Sequence, residues 1–533
     1  MDRTFSKRLF KHLDELKTLY DQLYNDESAF AEFCDGLSRY FEKRPESLRN
    51  IDAKRVKNPN WYMSQDMAGL ELHMENDVRT FRDVQSVLGY YSKIGYNILD
   101  LGFILSTPKK ISDAGAITDY RKVGSSYGSM EELTALAASC HRRQMRLCID
   151  VNMSFTADNH KWAKKTRALD KTYMTRYIRT ENGDDANRYD DLADVEMGDR
   201  HRGNFTYQPD NDFYVMTTFK PYEWDLNYKN PMVMNKMFRN LLYLANQGVD
   251  IFRIHDDRYL WKDISRGCMN PEETQKAIRI LKLAIEIVCP GVLIWTEWSD
   301  QGQFIEDSEI IDIVWHTLAT QNCRLMKAHM DKMNSYPKEM LFSNVLMDDS
   351  EIEWKLDYGL LAEEAIEKES HINFLNKYYS GRMGSVAEMT GLAKALVEGT
   401  SEDLDTAKKK YILIYVFILM KCGMPVICER DENILPEIHE LILKLKQMRS
   451  DDKVFNVNAD RWTMDTWDEG TFAMGRYFDG EKLLAIMNFS DTDRTAWINE
   501  NDGDYYELIT GETMPAEGVF VPAYGYKLLK KTF

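Results

Sequence analysis

The sequence predicts an α/β protein: a closed (β/α)8 TIM barrel, with a helical domain before it and an antiparallel β domain after it. Three observations predict this. Between residues 66 and 450, short apolar runs alternate with amphipathic helical segments. Before that region the periodicity is helical throughout. Beyond it the helices stop, and short apolar runs separated by Gly, Asp and Asn take over. Parallel strands need long crossovers, usually helices, and eight such units suit a sheet closed on itself.

Residues 1–65 form the expected helical domain. LFKHLDELKTLYDQLY (9–24) and AFAEFCDGLSRYFEKR (29–44) repeat apolar residues at helical spacing, and Pro45 and Pro59 punctuate the remainder of the domain. The barrel, 66–450, has eight strand candidates: GLELHM (69–74), YNILDLGF (96–103), RLCIDVNM (146–153), DIFRIHD (250–256), VLIWTEW (292–298), IIDIVWH (310–316), MLFSNVLM (340–347) and MPVICE (424–429). Two stretches, about 154–230 and 350–400, are too long for simple connections. Loops of that size read as functional insertions on the face that carries the site. RWTMDTW, TFAMGRYF, KLLAIMNF and YYELITG, within 451–533, open an all-β sandwich.

Composition narrows the function classes. The 533 residues are 44% hydrophobic and 12% aromatic, which is globular rather than disordered. With 68 Lys+Arg against 86 Asp+Glu, the net charge is −18. An acidic chain is a poor match for nucleic acid, because neutralising phosphates needs a basic patch. No membrane association is expected, since the longest apolar run, YILIYVFILM (411–420), is half the ~20 residues a span requires. The eight cysteines are scattered without a CxxC pair, so neither a disulfide framework nor a metal site is expected. MDRTFSKRLFKHLDELKTLY at the start is amphipathic and unlike a signal peptide. These features together point to a cytoplasmic setting. No cofactor is implied, and the sequence sets no oligomeric state.

Particular stretches carry a resemblance. NPNWYMSQDMAG (58–69), GAITDYRKVGSSYGSMEEL (115–133), TTFKPYEWDLNYKNP (217–231) with LLYLANQGVDIFRI (241–254), and INFLNKYYSGRMGS (372–385) resemble glycoside hydrolase family thirteen, the α-amylase superfamily. Within it they are closest to amylosucrase and sucrose hydrolase. The resemblance implies action on sucrose or an α-glucoside, with a small sugar or α-glucan as partner. Retaining chemistry of that kind uses two carboxyl groups about 5–5.5 Å apart, one a nucleophile and one an acid/base. A third carboxylate grips sugar hydroxyls.

The resemblance places Glu297, after the fifth strand, at the acid/base position. At the nucleophile position, after the fourth strand, the sequence reads Arg253-Ile254-His255-Asp256-Asp257. His255 therefore stands where the family has Asp. By strand alternation Asp256 should face away, and Asp257 should return to the right side about 6.6 Å further along. A charged His255 beside Glu297 would lower the glutamate's pKa and weaken it as an acid. The third carboxylate falls on Asp349, or on Ser350 if the register is anchored on Trp354. Arg253, Tyr222, Asp113 and Trp295 stand at or near sugar-binding positions, Trp295 in phase with Glu297. Each Trp beside Glu297 reads equally as barrel core. The family's sugar-binding His after strand three is replaced by Phe155, although Asp150 remains. These departures imply that the ordinary transfer activity is lost. Two alternatives remain: an active glycosidase or glucosyltransferase using Glu297 and a displaced carboxylate, or a non-catalytic paralogue that binds carbohydrate or protein.

Overall fold

A computed structural model describes residues 3–72, 74, 79–109, 115–192, 204–345, 354, 356–363, 366–383, 396, 403–429, 438–500 and 502–533, without the side chains of 190–192 and 380–383. Asp113, Asp349 and Ser350 lie outside the described residues.

Eight strands close into a barrel in sequence order: β1 (Gly69–Glu71), β2 (Ile98–Asp100), β3 (Arg146–Asn152), β4 (Ile251–His255), β5 (Leu293–Thr296), β6 (Phe304–Glu306), β7 (Leu341–Val345) and β8 (Met424–Cys428). The chain packs as two compact units. The first, residues 1–61, 73–92 and 98–306, holds β2 to β6. Its strands pair in parallel, with Arg253 of β4 opposite Asp150 of β3 on one side and Trp295 of β5 on the other. Two residues along, His255 lies opposite Asn152. This register brings strand-end side chains from β3, β4 and β5 together at the carboxyl end of the sheet.

Helices α1 (Arg3–Leu23), α2 (Glu27–Glu42) and α3 (Glu46–Lys57) lie in the same unit as these strands. The first two pack on two barrel helices, α4 (Pro231–Asn246) and α5 (Pro271–Val288), each opened by a proline at its first turn, where the missing N–H costs nothing. Tyr20 donates to Asn235 at 2.9 Å, Asn235 donates to the Ala29 carbonyl at 2.9 Å, and the Phe33 and Phe238 rings sit 4.1 Å apart. Ahead of β4, Asp250 is clamped by Arg55 at 2.8 Å and His141 at 2.7 Å, and it accepts the Leu147 N–H at 2.9 Å. Those contacts fix where β4 begins. In the 154–230 stretch, Phe155–Ala157 pairs antiparallel with Glu223–Asp225, and Phe213–Met216 pairs with Arg179–Thr180 and Phe205–Gln208.

The sixth strand is a correction. The apolar run at residues 310–316 predicts a strand; these residues lie within a helix, α6 (Ile310–Thr320). Its side chains from Ile310 to Leu318 are buried on nearly every side, Ile311 being the exception, so no amphipathic stripe marks it as helical. The strand is the three-residue β6, reached from β5 through residues 297–303 alone. Gly302 permits that short link, because a Cβ there would sit 2.5 Å from Thr296 Oγ1.

The second unit, residues 62–72, 93–97 and 307–533, holds β7, β8 and β1, paired in parallel, and the C-terminal antiparallel sheet. That sheet contains β9 (Asp460–Met464), β10 (Thr471–Phe478), β11 (Glu481–Asn488), β12 (Asp504–Glu507), β13 (Thr513–Pro515) and β14 (Tyr526–Thr532), in the order β9-β10-β11-β14-β12-β13. Asp479 and Gly480, both with positive φ, make the tight turn between β10 and β11. Leu484, Ile486, Val519, Val521 and Leu529 form the core beneath the sheet.

Candidate active site

The site is built from the ends of β2 to β6, all within the first unit. Its centre is His255. Nδ1 lies 2.7 Å from Glu297 Oε1, and Nε2 lies 2.8 Å from Asp150 Oδ2. The Phe103 ring packs on the imidazole at 4.8 Å between centroids. Burial alone would disfavour the imidazolium. The Asp150 and Glu297 charges outweigh it and raise the His255 pKa well above its ordinary value. Burial likewise works against an ionised Glu297. The His255 charge and contact overcome it and hold the carboxyl down at about 2. Sequence reasoning anticipated that direction.

The chain turns sharply after His255. Asp256 adopts a left-handed conformation, φ 54, which aspartate tolerates better than most residues. Its backbone N–H donates to Glu297 Oε2 at 2.8 Å, and its carboxylate accepts from Asn152 Nδ2 at 3.2 Å. Strand alternation ends at this turn, so the expected placing of Asp256 and Asp257 does not hold. Asp257 enters a short 3-10 turn instead. The residue is 1% exposed, and its carboxylate accepts the N–H groups of Trp298 and Ser299, at 2.9 and 2.8 Å. Burial, then the Glu297 charge, raises its pKa to about 7.

One layer deeper lies Arg253. It donates to Glu306 Oε2 from Nε at 3.1 Å and from Nη2 at 2.7 Å, and Nη1 sits 3.7 Å from Asp100. Its guanidinium stacks 4.6 Å above the Trp295 ring. Trp295 is wholly buried there, as barrel interior. Tyr222 is half-buried just ahead of Glu223–Asp225, and its carbonyl accepts the Asp158 N–H at 2.7 Å. The structure thus joins Glu297, His255 and Arg253, and adds Asp150, Asp100, Glu306 and Asn152, to which sequence reasoning gave no role. A signal for three of them was present. ILD, CID and FIE are short apolar strand runs each ending in an acid, and a buried Arg253 demands counter-charges.

Asp100, Cys148 and Asp150 offer ligand atoms within 4.8 Å of one another. Burial pushes the Cys148 thiol well above its ordinary pKa, which keeps it protonated and a poor ligand. Arg253 already supplies positive charge beside Asp100.

The family described as alpha amylase, catalytic domain, matches residues 74–351, more than half of the chain. The chain belongs to the alpha-amylase family. Family membership makes it a carbohydrate-active protein by kind. The trehalose synthase/amylase TreS of Mycolicibacterium smegmatis is 29% identical over 218 residues, covering 40% of this chain and 36% of that protein. Glucosylglycerate phosphorylase of Spirochaeta thermophila is 23% identical over 339 residues, covering 60% and 56%. The chain therefore spans between about a third and somewhat over half of the length of these curated relatives. A mutant of the trehalulose synthase MutB in complex with glucose superposes with a TM-score of 0.64 at 14% identity, covering 88% of this chain and 99% of that one. The isomaltulose synthase SmuA of Protaminobacter rubrum gives 0.65 at 12%, with the same coverage. At such identities the solved structures speak to the fold. Among the described residues of this family member, no helix is long and apolar enough to cross a membrane.

Proposed function

We propose that this is an amylosucrase-like member of the family that binds a sugar or α-glucan and lacks retaining glycoside transfer. The observation that carries this reading is the His255 bridge, 2.8 Å to Asp150 and 2.7 Å to Glu297. Retaining transfer needs a carboxylate to attack the sugar and a protonated acid to release the leaving group. At the attacking position stands an imidazolium. With a proton on each nitrogen it has no lone pair for nucleophilic or base chemistry. The acid fails for a linked reason. The His255 charge holds the Glu297 carboxyl down at about 2, so it has no proton to give near neutral pH. Neighbouring carboxylates offer no replacement: Asp256 is turned to Asn152, and Asp257 is spent on two backbone N–H groups.

A sugar remains the ligand class that fits best. The relatives bear the names of enzymes of trehalose and glucosylglycerate, and a structural neighbour holds glucose. In this reading Arg253 and Trp295 support the site from below and Tyr222 stands at the pocket wall; the family resemblance assigns sugar contacts to Asp113 and Asp349 as well. A helical domain (1–65), barrel (66–450) and β domain (451–533) remain our division of the chain. Eight free cysteines, seven of them buried, favour a cytoplasmic setting.

The test is release of glucose and fructose from sucrose by the purified chain, beside His255→Asp and Glu297→Gln. The wild type is expected to be silent while still binding sugar in calorimetry. Gain of release in His255→Asp would mark a site one residue from chemistry. Wild-type release that disappears in Glu297→Gln would sink the reading.

A further inference from the structure

Among the described residues no large hydrophobic side chain is more exposed than Trp467, at 85%. Its backbone is left-handed, φ 57, a conformation bulky side chains rarely adopt. Such strain persists only where the surroundings impose it, and it gathers at functional sites. Here the surroundings are explicit. The Thr466 hydroxyl lies 2.9 Å from the Asp468 carbonyl and 3.2 Å from that of Thr471. The Trp497 N–H donates to the Thr466 carbonyl at 2.9 Å. Asp468 accepts from the Gly470 N–H at 2.9 Å and pairs with Arg494 at 3.2 Å. The indole is thus held out to solvent by a braced loop.

Beside it lies a groove of about 360 Å³, whose polar lining includes Asn322, Arg324, Lys327, Asp465, Asp468 and Glu469. Lys327 pairs with Asp465 at 3.4 Å, and Asn322 donates to Glu469 at 3.3 Å. All of this lies in the second unit, outside the His255 site. A pyranose ring has an apolar C–H face and a rim of hydroxyls. A rigid exposed indole covers such a face with little loss of entropy, and fixed carboxylates, amides and cations meet the hydroxyls. A protein partner would ask for a broader apolar centre than one indole ringed by charged pairs.

We propose that the Trp467 loop and its groove form a second carbohydrate site, which takes one or two pyranose units of a polysaccharide. The site stands on its own residues, whatever the His255 site does. The experiment is native electrophoresis of the full chain through gels containing amylopectin, dextran or xylan. At least one polysaccharide should retard the wild type. Trp467→Ala should weaken that retardation tenfold or more, Trp467→Phe should keep most of it, and Phe10→Ala, at another exposed aromatic outside both sites, should leave it unchanged. Trp467→Gly controls for folding: glycine accepts the left-handed backbone, so its melting temperature should not fall while retardation is lost. Any of four results overturns the proposal: no retardation of the wild type, equal retardation of Trp467→Ala, an equal loss in Phe10→Ala, or a concentration-dependent dimer that Trp467→Ala dissolves.

Discussion

His255 Nδ1 lies 2.7 Å from Glu297 Oε1, the side chain we propose stands at the acid position of a retaining site. Two properties usually separate in such a site come from this one contact. The contact favours the charged form of both: it raises the histidine's pKa and lowers the glutamate's, the two shifts on which our proposal of lost glycoside transfer rests. Asp150 on the far side of the ring reinforces the arrangement at 2.8 Å.

The pair makes stability depend on pH on both sides. His255 is raised in the folded state, so its contribution is complete below its unfolded pKa of about 6.5 and is lost as pH rises through the folded value. Glu297 is depressed, so its contribution is complete above its unfolded pKa of about 4.3 and is lost as pH falls towards about 2. The melting-temperature gap between wild type and His255→Gln should therefore be widest between about pH 4.5 and 6.5 and narrow on either side. A gap that stays constant from pH 3 to 10 would remove the ion pair from the account.

Asp257 behaves in the opposite sense to Glu297. Its folded pKa is raised to about 7, so its contribution is complete below its unfolded value of about 3.9 and fades as pH climbs through 7. At pH 5 the group carries its own proton, so Asp257→Asn replaces one neutral side chain by another of the same shape and should cost little. At pH 9 the variant removes a buried charge, so urea unfolding should show it gaining on the wild type between pH 5 and pH 9. An equal difference at both values would contradict the raised pKa.

Arg253 is a structural cation as much as a site residue. Arg253→Met removes the cation beside Glu306 and Asp100 and uncovers the Trp295 face. Breaking a buried pair of this kind costs about 3–5 kcal/mol. The double variant Arg253→Met, Glu306→Met should recover part of that loss in a denaturation cycle. Strict additivity of the two single variants would deny the coupling.

Much of this architecture is legible in residue order. Seven barrel strands announce themselves as apolar runs; His255 and Glu297 fall at strand ends, with Arg253 one layer deeper in β4. The illegible parts have physical causes. Helix α6 is buried all round and loses the stripe that would mark it, while β6 is only three residues long. Asp150 and His255 stand 105 positions apart, and only the β3–β4 register joins them. The left-handed turn at Asp256 hides in an ordinary Asp-Asp pair, where strand alternation predicts a different aim for both carboxylates.

The most direct measurement is the protonation state of His255 near pH 8, read from its ring nitrogens by ¹⁵N NMR and assigned with His255→Gln. The account predicts that both nitrogens carry protons there, and that Glu297→Gln lowers the pH at which the ring titrates. A neutral ring at pH 8, unmoved by Glu297→Gln, would contradict it.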